Sequence, residues 1–420
     1  MRVLIVNTSE KTGGAAVAAH RLMEALNNHG VKAKMLVRDK QSDHLSVVGL
    51  PKSPLLRWHF LWERLVIFLA NGLSRKNLFK VSIANAGSDI TKLPEFKEAD
   101  IVHLHWVNQG MLSLKDIEKI LRSGKPVVWT MHDMWPLTAI CHHAYGCRRF
   151  QTACGECPFL RFPSAHDLSN RVFHKKQNLY NKTQVTFVAV SNWLANCAKQ
   201  SALLKASSIS VVPNALSVSQ FSMTDRSDAR SVLQLNTPYL VVFGAARIDD
   251  DIKGLPYLLQ ALSLLVSRGD FCREDIQLLI FGGVKDRQIF SKIPVDYTYY
   301  GYVDDIHQVS LLYSASNVVV SSSLYETFGQ TIIEAQACGC TPVAFGGSGQ
   351  EDIISHKVNG YLAERLSVED LAEGILWALT ANLQQSALRN HVLKHYSESP
   401  VALKYTEVYN QALAMKHYKL

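Results

Sequence analysis

The sequence predicts an α/β protein made of two doubly wound domains, each organised around a parallel β-sheet. Short apolar runs typical of buried strands alternate with helical segments along nearly the whole chain, beginning with Arg2–Asn7 and then Ala15–Asn28. The alternation stops at a polar stretch, residues 217–237, and restarts at Tyr239–Ala245. The chain of 420 residues also has the length of two ordinary domains.

These observations divide the chain into three parts. We expect an N-terminal domain over residues 1–216, which includes a cysteine-rich insert at 141–157. A C-terminal domain is expected over residues 217–395, entered through a linker at 217–237. Residues 396–420 are predicted to form a C-terminal helix that crosses back to the first domain.

The composition is that of a soluble globular protein with an anionic partner. Hydrophobic residues make up 47% of the chain and charged residues 19%, and the net charge is +8. A basic chain favours a phosphorylated ligand, an anionic membrane or a nucleic acid. No nucleic-acid recognition motif is visible, so we expect no nucleic-acid partner. No apolar run reaches the roughly 18 residues of a spanning helix, and the N-terminus reads as a strand, so we expect a cytoplasmic protein.

Two places in the first domain are candidates for ligand contact. Gly13 and Gly14 stand at a strand–helix junction, where a glycine pair lets a ligand approach the backbone; a plain tight turn is equally consistent. His132 and Asp133 follow a predicted strand, where the chain opens into a loop. The dinucleotide-binding pattern G-x-G-x-x-G is absent.

Residues 53–72 are predicted to form an unusually apolar helix with basic residues at both ends. Arg57, Arg64 and Asn71 recur every seven residues and form one narrow polar stripe. The aromatic and basic residues suit a helix lying on anionic lipid. A core or interdomain helix explains the same pattern, and both interpretations stay open.

Four cysteines are concentrated in the insert, with the spacing C-x5-C-x6-C-x2-C: Cys141, Cys147, Cys154 and Cys157. The C-x2-C half is typical of a metal knuckle, whereas the other half is irregular. In a reducing compartment four thiolates this close make a structural zinc plausible. A thiol-rich loop without metal is the main alternative, and redox chemistry at the C-x2-C pair is a third interpretation.

The second domain carries four charged residues at predicted strand ends. Arg247 and Lys253 lie in the loop after its first strand, and Glu326 follows the apolar run Asn317–Val320. Glu334 lies eight positions later, across a helix expected to begin near Phe328. If most of that interval is helical, the two glutamates are about 12 Å apart along the axis, too far for a hydrolytic acid/base pair. They would suit a longer ligand with phosphates near the helix start, unless they merely cap the helix.

The motif Ser323-Leu-Tyr-Glu-Thr-Phe-Gly-Gln-Thr-Ile-Ile-Glu-Ala335, with Arg247 and Lys253-Gly254 before it, resembles retaining GT-B glycosyltransferases of family 4. The resemblance extends to Gly13-Gly14, His132-Asp133 and Val212-Pro213-Asn214, and therefore to nearly the whole chain. The cysteine segment is similar to a subgroup that acts in bacterial polysaccharide and colanic-acid-type biosynthesis. This family implies two Rossmann-like domains facing a central cleft.

The resemblance also implies roles for particular residues. Catalytic roles fall to Arg247 and Lys253 at the donor diphosphate, Glu326 at the donor sugar and His132 near that sugar. The implied donor-binding residues are Gly13, Gly14, Val303, Thr327, Phe328, Gly329 and Glu334, with Glu334 at the ribose and Val303 beside the base. Thr327 replaces the second residue of the common Glu-Gly-Phe-Gly motif.

The family resemblance implies two substrates, a UDP- or GDP-sugar donor and a saccharide acceptor. The acceptor is expected to be lipid-linked and the protein to contact the cytoplasmic face of the inner membrane, and no metal is expected for catalysis. A nucleotide-sugar-binding protein without transfer activity is the main alternative. A sugar phosphorylase is less consistent with the sequence, because the cofactor-lysine signature is not evident.

Overall fold

The computed structural model describes residues 1–417, which form two compact units. One unit comprises Met1–Ala215 together with the C-terminal stretch from Val401, and the other comprises Leu216–Pro400. The last three residues of the helix predicted at 396–420 lie outside the described part. Each unit is an α/β layer structure around its own parallel sheet, which confirms the predicted doubly wound class.

Unit one alternates strands and helices from its first residues. The elements are β1 (Arg2–Ser9), α1 (Gly14–Asn28), β2 (Lys32–Asp39), β3 (Val47–Gly49), α2 (Pro54–Ala70), α3 (Pro94–Glu98), β4 (Ile101–Leu104), α4 (Leu114–Leu121), β5 (Val127–Met131), α5 (Leu168–Lys182), β6 (Thr186–Ala189), α6 (Asn192–Gln200) and β7 (Ile209–Val211). The sheet has seven strands in the order β3-β2-β1-β4-β5-β6-β7. Because β1 pairs in parallel with both β2 and β4, the strand order reverses direction beside β1.

Unit two repeats the scheme with six strands. Its elements are α7 (Arg226–Leu233), β8 (Tyr239–Arg247), α8 (Leu255–Arg268), β9 (Ile276–Gly283), β10 (Asp296–Tyr299), α9 (Ile306–Ala315), β11 (Val318–Ser321), α10 (Gln330–Ala337), β12 (Thr341–Phe345), β13 (Tyr361–Ala363), α11 (Val368–Thr380) and α12 (Gln385–His395). The strand order is β10-β9-β8-β11-β12-β13, with all pairs parallel. The reversal therefore falls between β8 and β11.

The C-terminal helix α13 (Glu398–His417) completes the core of unit one. Val401, Tyr405, Val408 and Tyr409 are buried there with apolar residues of β1, β2 and α1. Tyr405 and Tyr409 also reach the polar groups of the central strands, because their hydroxyls hydrogen bond to Thr130 and His103. The helix is therefore an integral layer of this unit.

The predicted linker at 217–237 is wrong in its central part, because residues 226–233 form α7. Asp225 caps this helix by accepting a hydrogen bond from the N–H of Ser227, and Ala229 is buried beneath it. Arg230 binds the carbonyl of Ala315 and the side chain of Asn317. The polar composition of the segment belongs to an amphipathic helix with one short buried face.

The predicted helix after Glu326 starts later than expected. α10 begins at Gln330, after the turn that contains Glu326, Thr327 and Phe328. Only about half of the interval from Glu326 to Glu334 is helical, so the predicted axial separation of the two glutamates does not apply. Gly329 is the N-cap, with a φ of 113° that favours glycine.

Candidate active site

The predicted site residues of unit two gather at the carboxyl ends of β8 and β11. Arg247 is the last residue of β8, and Ser321 is the last residue of β11. These neighbouring strands flank the point at which the strand order reverses. In open α/β sheets ligands bind in the crevice outside such a point, because the loops diverge there.

Lys253 and Glu326 meet directly at this edge. Lys253 Nζ lies 2.9 Å from Glu326 Oε2, and both side chains are partly exposed. The charge of Glu326 raises the pKa of Lys253, against the opposing effect of burial. Lys253 therefore stays cationic throughout the neutral range, and Glu326 supplies a carboxylate acceptor beside it.

Backbone contacts hold the two loops that carry this pair. The N–H of Leu324 donates to the carbonyl of Ile252 over 2.8 Å, and the Ser322 hydroxyl donates to the carbonyl of Gly254 over 3.0 Å. Gly254 has a φ of 68°, and a Cβ there would lie 2.0 Å from the Ser322 carbonyl oxygen. Only glycine permits this approach, which fixes Lys253 next to β11.

Arg247 is held by two aspartates of its own loop. Its guanidinium lies 3.4 Å from carboxylate oxygens of both Asp249 and Asp250. Burial disfavours the Asp249 carboxylate, but N–H groups of Asp286 and Lys285 hydrogen bond to it and the pKa of Asp249 is lowered overall. Asp250 also helps to raise the pKa of Lys253. Both predicted phosphate-binding cations therefore already have carboxylate partners.

The turn between Glu326 and α10 is packed from behind by a second glycine loop. The N–H of Gly349 donates to the Glu326 carbonyl over 2.8 Å, and a Cβ on Gly349 would lie 2.1 Å from the Thr327 oxygen. The Phe328 ring is buried at 5.9 Å from the Tyr396 ring, so its side chain anchors the turn. The first-turn N–H groups of a helix have no acceptor within that helix, and the start of α10 therefore favours negative charge.

The other predicted donor-binding residues of unit two lie on the elements that border this edge. Glu334 is partly buried in the second turn of α10, and Val303 is partly exposed in the loop between β10 and α9. That loop is tied to β9 by a 2.7 Å hydrogen bond from the Gly282 N–H to the Gly301 carbonyl. The roles of Glu334 and Val303 rest on the family resemblance.

In unit one, Gly13 and Gly14 stand where β1 passes into α1, as expected. Gly13 is the N-cap of α1 with a φ of 92°, and the space that a Cβ would occupy is empty. The positive φ is a sufficient reason for glycine at position 13. A role in ligand binding is compatible with the open space and remains a prediction.

His132 follows β5 directly and hydrogen bonds to a second histidine. His132 Nε2 and His105 Nδ1 are 2.8 Å apart, and the rings stack at 5.0 Å. Burial lowers the pKa of His132 to about 4, although Asp133 opposes the shift. Burial also lowers the pKa of His105 well below its ordinary value. The pair is therefore neutral near pH 7, so His132 offers a hydrogen bond there and no positive charge.

Two further buried groups support this region. His103 hydrogen bonds to Tyr409 and Thr130, each over 2.8 Å, and its ring lies 4.2 Å from that of His105. Asp133 accepts hydrogen bonds from Trp106 Nε1 and from the N–H of Trp135, and it contacts His142 Nδ1 at 2.6 Å. Asp133 thus holds the side chains of Trp106 and His142 behind the loop.

The four cysteines of the insert are all free thiols and line one small cavity in unit one. Burial raises the pKa of Cys154 to about 11 and that of Cys157 to about 12, and it also raises the pKa of Cys141. Among residues 1–417, three metal-ligating atoms approach within 4.8 Å of one another at His20, Glu24 and His44, and not at the cysteines. His20 and Glu24 form an ordinary pair one helical turn apart. Zinc at the cysteines would require the sulfur atoms to draw closer together.

Several supporting residues were not predicted from the sequence. Asp249 and Asp250 hold Arg247, and Ser322 holds the loop that carries Lys253. The glycine-rich run 346–349 packs against the turn that carries Glu326, a contact that the sequence does not predict. The three aspartates at 249–251 could have indicated from the sequence that Arg247 has a carboxylate partner. Ser322 gave no such signal, because small residues are common at strand ends.

Two family models cover most of the chain. Residues 12–220 match the model of Glycosyltransferase Family 4, and residues 225–395 match that of Glycosyl transferases group 1. An uncharacterized glycosyltransferase of Methanocaldococcus jannaschii is 24% identical over 385 residues, which cover 83% of this chain and 93% of that protein. Phosphatidyl-myo-inositol mannosyltransferase of Mycobacterium tuberculosis is 27% identical over 208 residues, which cover 47% of this chain and 53% of that protein.

Solved structures agree on the fold over the full length. Sucrose-phosphate synthase from Thermosynechococcus elongatus superposes with a TM-score of 0.67 at 19% identity, covering 99% of this chain and 100% of that one. Anabaena HepE in complex with UDP-glucose superposes with a TM-score of 0.62 at 17% identity, covering 98% of this chain and 100% of that one. Two Rossmann-like domains and this likeness define the GT-B fold. With both family models matched in order, the chain belongs to the GT-B glycosyltransferases of family 4.

Proposed function

We propose that this glycosyltransferase moves a sugar from a UDP- or GDP-sugar to a hydroxyl of a saccharide acceptor, with retention of the anomeric configuration. The observation that carries the proposal is the Lys253–Glu326 pair at the carboxyl edge of the sheet, beside the start of α10. It combines a cation for a phosphate with an acceptor for sugar hydroxyls. The solved HepE structures with UDP and UDP-glucose support a nucleotide-sugar donor.

Donor binding would exchange ion-pair partners. Lys253 is paired with Glu326 and Arg247 with Asp249 and Asp250, so a diphosphate has to compete with these carboxylates. A charge-assisted hydrogen bond contributes about 1.5–3 kcal/mol, whereas a helix terminus contributes about 0.3–1 kcal/mol. Most of the affinity for the diphosphate would therefore come from the two cations, and Glu326 would be released to accept donor-sugar hydroxyls.

In the transfer step the bond between the anomeric carbon and the donor phosphate oxygen breaks, and the nucleoside diphosphate takes its electron pair. Lys253, Arg247 and the start of α10 stabilise the growing negative charge. The acceptor oxygen forms the new bond from the same face, and its proton passes to the departing phosphate. No redox step or metal is needed for this balance.

The remaining residues would position the substrates. His132 is neutral near pH 7, because its pKa is lowered to about 4. In this state it would hydrogen bond to a sugar hydroxyl. Backbone groups of Thr327, Phe328 and Gly329 would approach the donor, with Glu334 at the ribose and Val303 beside the base. Gly13 and Gly14 would be further donor-binding residues. These assignments rest on the family resemblance.

The proposed acceptor is a lipid-linked oligosaccharide in surface polysaccharide biosynthesis, met at the cytoplasmic face of the inner membrane. The insert that contains the four cysteines supports this assignment through its similarity to polysaccharide and colanic-acid-type transferases.

The test is nucleotide release from a panel of UDP-, GDP- and ADP-sugars, with and without saccharide acceptors. We expect one donor to release its nucleotide, slowly alone and faster with a matching acceptor, and NMR of the product to show retention. Lys253→Ala should abolish most of this release, whereas Lys292→Ala, an exposed lysine of the same unit, should not. Inverted product would contradict the retaining mechanism.

A nucleotide-sugar-binding protein without transfer activity is the second candidate. The ion pairs of Lys253 and Arg247 favour this candidate, because the charges at this edge of the sheet are balanced without a bound ligand. Saturable binding of one nucleotide sugar, with no nucleotide released by any acceptor in the panel, would establish this candidate and refute transfer.

A further inference from the structure

Helix α2 in unit one is turned with its polar side inward and its apolar side outward. Glu63 and Arg64 are buried, whereas Leu55, Trp58, Trp62, Leu65 and Leu69 have exposed fractions of 43–61%. These five positions advance by three and four residues in turn, so they form one continuous stripe. We call them the α2 face.

The inward orientation has a specific cause. Glu63 Oε1 accepts hydrogen bonds from the N–H groups of Ile83 and Ala84, each over 2.8 Å. Arg64 donates to the carbonyls of Leu78 and Val81 and lies 2.9 Å from Glu63. Buried backbone groups need partners, and these two side chains satisfy segment 78–84. The helix is therefore locked with the α2 face away from its own unit.

Other exposed apolar side chains adjoin both this helix and its end. The Phe162 ring packs where a Cβ on Gly72 would lie, 2.4 Å away, directly after the helix. Phe79 lies against the Arg64 guanidinium, 5.6 Å from its centre. Phe79 and Phe162 are themselves mostly exposed. The apolar surface is thus wider than one helical stripe, which is unusual for a surface without a partner.

The exposed charges of residues 52–80 all have one sign. Exposed cations lie in the helix or beside it in this range, namely Lys52, Arg57, Arg75, Lys76 and Lys80. The one acidic residue of that range, Glu63, is fully buried. A second copy of the chain would bring the same cations together and repel, whereas anionic lipid headgroups would attract them.

We propose that the α2 face docks on an anionic membrane surface, with the helix lying in the interface. Among the described residues no helix is long and apolar enough to cross a membrane. The 17 residues of α2 rise about 26 Å, less than the roughly 30 Å hydrocarbon core, and its other side is occupied by its own unit. Tryptophan rings suit the headgroup level, and the lysines and arginines suit the phosphates.

The test is flotation of the full-length protein with vesicles of phosphatidylcholine alone or mixed with phosphatidylglycerol. We expect flotation with the mixed vesicles at low salt and its loss at high salt. Trp58→Ser with Trp62→Ser should lower the partition coefficient at least about tenfold, because two apolar side chains that would be buried in lipid are lost. Arg75→Gln with Lys76→Gln should lower it roughly 25-fold on anionic vesicles.

Matched controls are Leu403→Ser and Val232→Ser, which remove exposed apolar side chains elsewhere and should leave flotation unchanged. All variants change exposed residues, and circular dichroism with thermal melting checks their folding. Failure of the parent protein to float with anionic vesicles at low salt overturns the proposal, as does equal flotation of the tryptophan variant. A parent dimer that this variant converts to monomers, without vesicle binding, assigns the face to self-association instead. None of these readouts depends on sugar transfer.

Discussion

Lys253 and Glu326 form a 2.9 Å ion pair although 73 positions separate them in the chain. The pair joins the loop after β8 to the loop after β11, at the point where the strand order of the sheet reverses. It raises the pKa of Lys253 and places a carboxylate at the same edge. One contact thus places a cation and a carboxylate acceptor side by side, the two groups that the proposed donor site uses.

Replacing Lys253 by Ala should lower kcat by roughly 10²–10³-fold, because a cation that stabilises developing negative charge is removed. Folding stability should change by less than about 1 kcal/mol, since the ion pair is partly exposed. Steady-state kinetics and thermal melting measure the two effects. Lys292→Ala is the control, and near-normal turnover of the Lys253 variant would refute the assigned role.

Replacing Gly254 by Ala should destabilise the protein more than replacing Gly269 by Ala. Both glycines have positive φ, at 68° and 78°, so both variants incur about 1–2 kcal/mol of backbone strain. Only at Gly254 would the new Cβ also lie 2.0 Å from the Ser322 carbonyl, whereas nothing lies within 4 Å at Gly269. We expect a further loss of at least about 1 kcal/mol and a fall in kcat from displaced Lys253.

Denaturant melts of both variants, with kinetics for each, provide the measurement. Equal destabilisation of the Gly254 and Gly269 variants would mean that the loop after β11 moves away from the new Cβ at position 254 without loss of stability. Normal kcat in a destabilised Gly254 variant would show that the position of Lys253 does not depend on this contact.

Acid should destabilise unit one through its buried histidines. Burial lowers the pKa of His103 to about 3 and that of His132 to about 4. The unfolded chain binds protons below about pH 6.5 and the folded chain does not, so the stability present above pH 6.5 is lost as pH falls toward 4. At pH 5 His103 alone accounts for about 2 kcal/mol.

Urea midpoints between pH 7 and pH 5 measure this dependence. His103→Gln should reduce the slope of stability against pH, whatever its effect at pH 7. His307→Gln, which replaces an exposed histidine, should leave the slope unchanged. A slope that is the same in both variants and the parent would rule out His103 as a source.

We propose that Cys141, Cys147, Cys154 and Cys157 bind a structural zinc, since all four line one cavity. Elemental analysis of the protein purified without chelator should give about one zinc per chain. Cys154→Ser with Cys157→Ser should lose the metal and lower the melting temperature, whereas Cys272→Ser, at an exposed cysteine of unit two, should keep it. Stoichiometry near zero in the parent would leave a thiol-rich loop.

Much of the site was predictable because strand ends are visible in the sequence. β5 ends directly before His132, β8 ends at Arg247, and β11 ends shortly before Glu326, as apolar runs followed by polar turns indicated. The helix at 226–233 was not predicted, because its apolar side is short and its polar residues resemble a linker. The predicted helix starts were less accurate than the predicted strand ends, because α10 begins at Gln330 and was expected to begin near Phe328.

The sequence by itself determined the doubly wound class, the alternation of elements and the residues available at each strand end, because these follow from local periodicity and turn chemistry. Only the tertiary structure decided which of those residues touch. Arg247 pairs with Asp249 and Asp250, Lys253 pairs with Glu326, and His132 pairs with His105. Tertiary contacts also decided which side of α2 faces its own unit. The polar side faces inward, because Glu63 and Arg64 supply hydrogen-bond partners to the backbone of segment 78–84.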